Sequence, residues 1–356
     1  MSWTRQRLNN LFFIIGVLAC VVMLFTFDVS FVELWQHLTK AGYWLVPIIG
    51  VWVLIYGINA ASWWCVIKGV MSSHAEGGQE GTLSPWRIFR LTISGYALNY
   101  ATPVGGLGGE PYRIMELSRD IDKHQATSSV ILYAMMHIFA HFWFWFSSIF
   151  LYLILAAFGD LPLNVPISLT LGFIALLFFG ASYVFAKGYK NGVVLTVLGW
   201  LSKIPGLKGW SQRFKERHND ALHNVDTQIA ALFSQDKKAF YSSLLLEYAS
   251  RWAQSLEVLF MLLLFGVDNG GGIDGIMLTY LHSVLIVALT TFFANLIGFL
   301  PMQIGVQEGG FVLSIAALGL SASLGIFVSI ICRVREIVWI FIGIMLMKLP
   351  EKQSRQ

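Results

Sequence analysis

Six apolar stretches, each long enough to cross about 30 Å of hydrocarbon, leave little room for any fold except a bundle of membrane helices. They cover 11–27, 44–67, 128–158, 166–186, 239–266 and 322–347. A soluble chain of 356 residues would carry far more charge than this one, in which 56% of residues are hydrophobic and 12% charged. The expected fold is an all-α polytopic membrane protein with about six full spans, forming a single membrane domain over 1–356 with no soluble catalytic domain attached. Any chemistry then sits at membrane depth or in short loops. The first stretch follows Arg5 and Arg7 as a secretory leader would, but Thr26-Phe27-Asp28 gives no small-x-small cleavage pattern, so it reads as the first membrane helix.

The formal charge of +4 is small, and the basic residues flank apolar runs instead of lining one stripe, which argues against a nucleic-acid partner. Their use is orientation. Lys and Arg gather before 11, in 68–90, in 187–238 and after 347, whereas 159–165 and 267–275 carry Asp and neither cation. The positive-inside rule therefore predicts a multi-pass protein of the cytoplasmic (inner) membrane with both termini in the cytoplasm. Cys20, Cys65 and Cys332 all fall inside apolar runs, where sulfur acts as a small hydrophobe; neither a disulfide framework nor a metal site is expected. Within the connector 187–238, Trp210, Phe214, Leu222, Val225, Ile229 and Leu232 recur at helical spacing among charged residues, the pattern of an amphipathic helix on the inner membrane surface.

Two further apolar segments are interrupted near their middles, 86–118 in the first half (1–186) and 276–319 in the second (239–347). The first reads Asn99-Tyr-Ala-Thr-Pro103-Val-Gly105-Gly106-Leu-Gly108-Gly109-Glu110-Pro-Tyr-Arg113. The second reads Asn295-Leu-Ile-Gly298-Phe-Leu-Pro301-Met-Gln303-Ile-Gly305-Val-Gln307-Glu308. Each has an Asn upstream of a Pro, glycines after it, and a Glu seven residues beyond the Pro. A break at membrane depth frees backbone N–H and C=O groups, which are tolerable only where they line a polar cavity or bind something. Half-helix N-termini then direct partial positive charge into that cavity, favouring phosphate or carboxylate. Matched breaks in the two halves, one hairpin opening from the cytoplasm and the other from outside, predict two re-entrant hairpins related as an inverted repeat, with the substrate between them.

The block Ser94…Asn99…Pro103…Gly106-Leu107-Gly108-Gly109-Glu110…Arg113, with the later Pro301…Gly305…Glu308, resembles the lysylphosphatidylglycerol synthase transmembrane-region family, also called flippase-like, over about residues 10–347. The resemblance implies a lipid-translocating membrane protein, either stand-alone or working beside a lipid-modifying enzyme as partner. Val104-Gly105-Gly106 lacks the Arg often found there in the family, and Met302-Gln303 replaces its usual glycines. Those departures concern the identity of the headgroup.

Ionisable residues at membrane depth are functional candidates because each costs several kcal/mol unless paired or hydrated. Glu247 and Arg251 lie four apart on one helix face, with Glu257 further along, and Arg333, Arg335 and Glu336 lie well inside the last span. Arginine favours bidentate capture of phosphate. His137 and His141 are also four apart, but aromatic neighbours make them a hydrogen-bonded packing pair before a metal site. Asp120 and Asp122 resemble the paired acids of sugar-nucleotide enzymes only superficially. The expected substrate-binding set is thus Asn99, Pro103, Gly108, Gly109, Glu110, Arg113, Glu247, Arg251, Asn295, Pro301, Gly305, Gln307, Glu308, Arg333, Arg335 and Glu336, with no catalytic residue, metal or cofactor. The function expected is translocation of a phospholipid or polyprenyl-linked headgroup. A membrane-embedded lipid-phosphate transferase and a lipid-presenting accessory subunit are the alternatives.

Overall fold

The computed structural model describes residues 41–72, 83–101, 108–203, 208–217, 237–296 and 306–349, with a few isolated positions besides. The expected helix at 11–27, and the Pro-Gly centres of both breaks at 102–107 and 297–305, lie outside the described residues. Every regular element among the described residues is helical. A short 3-10 turn, Gly42–Trp44, leads into α1 (Leu45–Ser72), followed by α2 (Pro85–Ala101), α3 (Glu110–Leu117), α4 (Lys123–Ala157) and α5 (Val165–Asn191). Next come α6 (Val193–Leu201), α7 (Lys208–Arg217), α8 (Lys237–Leu264), α9 (Gly272–Leu296), α10 (Val306–Ala317) and α11 (Ala322–Met347).

Local chemistry sets the boundaries. The Asp122 carboxylate accepts the His124 N–H at 2.7 Å and caps α4. Asn164 accepts the Ile167 N–H at 3.0 Å and, with Pro166 just inside, starts α5. Gly192, at φ +88°, separates α5 from α6 in a conformation that a side chain would resist. These caps also settle the paired acids, since Asp120 binds Arg87 Nε at 3.1 Å. The pair on which a transferase reading would lean is structural.

The helices are arranged inside out relative to a soluble bundle. Leu169, Leu176, Phe179 and Leu245 project outward, each more than half exposed, while Glu247, Glu257, Arg333, Arg335 and Glu336 are all buried. Only a hydrocarbon solvent makes that distribution favourable. Four described segments are long and apolar enough to cross a membrane: Gly42–Ser72, Lys123–Ala157, Val165–Tyr183 and Gly272–Leu296. Helices α8 and α11, of 28 and 26 residues, have the length but carry charges in their middles, all turned inward. The chain is a multi-pass membrane protein.

Both interrupted segments do resolve into two helices with the break between them. They are unequal: α9 spans 25 residues, about 37 Å, and is long and apolar enough to cross a membrane alone, whereas α2 has 17 residues and α3 only eight. The halves also interlace. Helix α1 packs along α8, where Ser62 and Ser243 hydroxyls meet at 2.8 Å, and α2 packs along α11, where Ser94 Oγ donates to the Gly343 carbonyl at 3.0 Å. A Cβ on Gly343 would strike Ala97 and the Ile93 carbonyl, so glycine permits that backbone approach. An aromatic seam joins α4 to α5, with Phe146 and Phe178 stacked at 4.0 Å.

Candidate functional site

A polar chamber of about 230 Å³ lies at the centre of this bundle, walled by α1, α2, α4, α8, α9, α10 and α11. The two Asn residues that precede the breaks, Asn99 at the end of α2 and Asn295 at the end of α9, both open onto it. So do Arg251, Gln307, Arg333, Arg335 and Glu336. Seven residues of the expected set therefore line one cavity, although they come from five helices.

Arg333 and Arg335 are held in place by carboxylates of α8, α10 and α11. Arg335 meets Glu257 at 2.7 Å through Nε and 3.3 Å through Nη2, joining α11 to α8, and its guanidinium lies 3.9 Å from the Trp52 ring centre. Arg333 donates to Glu308 at 2.8 Å and to Glu336 at 2.9 Å; Glu336 in turn accepts from Gln307 at 3.0 Å. Buried pairs of this kind are close to neutral in net stability but strongly destabilising when one partner is removed. Their value here is placement, because the Arg333 and Arg335 guanidiniums are fixed at the wall of one small cavity.

Glu110, Arg113, Glu247 and Glu308 stand one layer behind the wall. Glu110 Oε1 accepts from Arg113 Nη1 at 2.9 Å and faces Asn99 Nδ2 at 3.4 Å. Asn99 Oδ1 accepts the Gly109 N–H at 2.6 Å, tying the end of α2 to the start of α3. Arg113 is wholly buried, packed over Tyr96 at 4.7 Å and against Gly95, where any Cβ would collide with its guanidinium. Gly109 sits against the Gly95 carbonyl in the same crowded crossing, and Gly108 precedes it in the turn. Pro103, Pro301 and Gly305 lie outside the described residues.

Several wall residues were not in the expected set. His137 and His141 are edge to face at 5.2 Å, and both line the chamber. His137 is far more than a packing partner: its Nδ1 lies 2.7 Å from Glu247 Oε2, and Arg251 Nη2 approaches both ring nitrogens. Trp52, Tyr96 and Tyr100 add aromatic faces, while Thr290, Thr291 and Gln254 add neutral polar groups. Arg251 Nε and His141 Nδ1 are buried at the wall with no hydrogen-bond partner among the described residues. Among those residues no three His, Cys, Asp or Glu side chains cluster as metal ligands would.

A family model described as the lysylphosphatidylglycerol synthase TM region matches residues 13–343, almost the whole chain. The chain belongs to that family. Membership in the lysylphosphatidylglycerol synthase transmembrane-region family sets it among membrane proteins of lipid biosynthesis or translocation. No curated protein and no solved structure matches it.

Proposed function

We propose that the chain translocates a lipid by admitting its polar headgroup into the central chamber while the hydrocarbon chains stay in the bilayer. The observation that carries this reading is the convergence of Asn99 and Asn295, one from each interrupted segment, on a cavity ringed by Arg251, Arg333 and Arg335. At about 230 Å³ the cavity is below the range for whole drug-sized ligands, and a headgroup fits where an entire lipid does not. Arginines at such a wall suit phosphate, which accepts paired N–H donors. The N-terminal turn of α10, which carries Gln307 and Glu308, directs the positive end of the helix dipole to the same side. The two interrupted segments would act as the matched gates of an inverted repeat, each facing one side of the cytoplasmic membrane.

The test is leaflet exchange in liposomes containing purified protein and a labelled amino-phospholipid or polyprenyl phosphate. Exchange without a chemical product, lost at least tenfold in a folded Arg333→Gln variant, supports translocation. Formation of a new lipid would mean a transferase. Lipid bound but neither moved nor altered would mean an accessory role.

A further inference from the structure

We infer that His137 is a proton-binding site on the chamber wall, and that the proton it takes up competes directly with Arg251, releasing that guanidinium toward the headgroup. This deepens the translocation reading and rests on it.

An imidazole has two ring nitrogens. Each ring nitrogen either carries one hydrogen and donates, or has one lone pair and accepts. Glu247 Oε2, an acceptor, lies 2.7 Å from Nδ1, so a neutral His137 places its hydrogen there. That leaves Nε2 as a lone pair, and Arg251 Nη2, which can only donate, lies between the two ring nitrogens, 2.9 Å from Nδ1 and 3.1 Å from Nε2. The neutral ring therefore serves Glu247 through Nδ1 and keeps one lone pair, at Nε2, within reach of Arg251. A second proton has a single place to go, Nε2, where it faces a donor and a positive charge. The Arg251 contact cannot survive its arrival. Glu247, 3.6 Å from Arg251 Nη2, stays with the newly charged ring, and Arg251 is left with Gln254 at 3.2 Å. Its Nε already lacks a partner, and the side chain lines the chamber.

The surroundings make this ring the responsive one. From α8 come Glu247 and Arg251; from α2, Tyr96, whose hydroxyl is 3.2 Å from Nδ1; from α3, Arg113 with Glu110 behind it; and on α4 itself, Tyr133 and His141. Helix α1 offers the neutral Asn59 amide to Tyr96 at 3.3 Å. The chamber face of α9, with Val287, Thr290, Thr291, Ala294 and Asn295, carries no titratable group, and the α5 seam against α4 is aromatic. Among the described residues, no carboxylate other than Glu247 touches the ring. The proton comes from the aqueous side to which the chamber is open, and leaves to the side on which it next opens. Headgroup and proton then favour each other's binding by the same factor.

Two measurements decide it. In wild-type proteoliposomes, exchange of a labelled anionic phospholipid should rise as pH falls, by up to about tenfold per pH unit for one linked proton, and a His137→Gln variant should give a flat profile at whatever absolute rate. Equal pH profiles in the two proteins overturn the inference while leaving translocation standing. Exchange absent from wild type at every pH overturns translocation instead. The second measurement needs no transport: ¹⁵N spectra of histidine-labelled protein in lipid should show His137 taking its proton at Nε2, and the Arg251→Gln variant should take it at higher pH. If the His137 signal holds one form from pH 4 to 8, or Arg251→Gln leaves it unmoved, the competition does not exist.

Discussion

Removing one end of the Arg335–Glu257 bridge tests the whole account of a charged interior. In a Glu257→Leu variant, Arg335 loses contacts of 2.7 and 3.3 Å and keeps only Glu336, at 3.8 Å, and the Trp52 face. Both partners are about 97% buried, so solvent does little to screen the stranded charge. Loss of one member of such a pair costs about 3–5 kcal/mol, a shift of about 150-fold to 5,000-fold in the unfolding equilibrium. Arg335→Met leaves Glu257 stranded and should cost a similar amount. The double variant removes both charges and should recover to within about 1–2 kcal/mol of wild type, since apolar replacements of matched volume are well tolerated in place of buried pairs. Reversible unfolding in mixed micelles, followed by tryptophan fluorescence, measures all three. Exchange activity then separates stability from function, because the double variant should be folded yet unable to hold a headgroup. Single variants costing less than about 1 kcal/mol, with additive effects, would mean that the charges are solvated and that the bridge is not buried.

Gly95→Ala should destabilise by about 1–3 kcal/mol, read as a lower melting temperature, because its methyl meets the Arg113 guanidinium. An Asn99→Ala variant loses the 2.6 Å bond to the Gly109 N–H; a loss of about 1 kcal/mol is expected, with faster hydrogen exchange at the start of α3. A cysteine at Asn295, on the chamber wall, should react with a charged thiol reagent, whereas one at Leu285, in the apolar core, should not. Arg87→Met, which takes from the buried Glu116 one of its two arginine partners, the other being Arg119 at 2.8 Å, should cost more than Asp120→Asn, whose carboxylate is 29% exposed.

Much of this architecture is legible in the residues. Span length follows from apolar runs, and the repeated Asn…Pro…Glu plan points to two helix ends that do share a chamber. Its limit is pairing. Spacing rules detect partners three or four apart, such as Arg333 with Glu336, but Arg335 and Glu257 are 78 positions apart and His137 and Glu247 are 110 apart. The pairing of Glu308 with Arg333, 25 positions away, is likewise invisible to spacing, whereas that of Glu110 with Arg113, three apart, is not. His137 is hidden for a further reason, because its aromatic neighbours on α4 mask a polar partner that arrives from α8.

The contact of α2 with α11 at Gly343 bears on how the molecule can open. Two backbones pressed together without an intervening side chain cannot slide or part without losing the whole contact, so this crossing behaves as a fulcrum. Displacement about a fulcrum grows with distance from it, so the Ala322 end of α11, farthest from Gly343, has the widest swing.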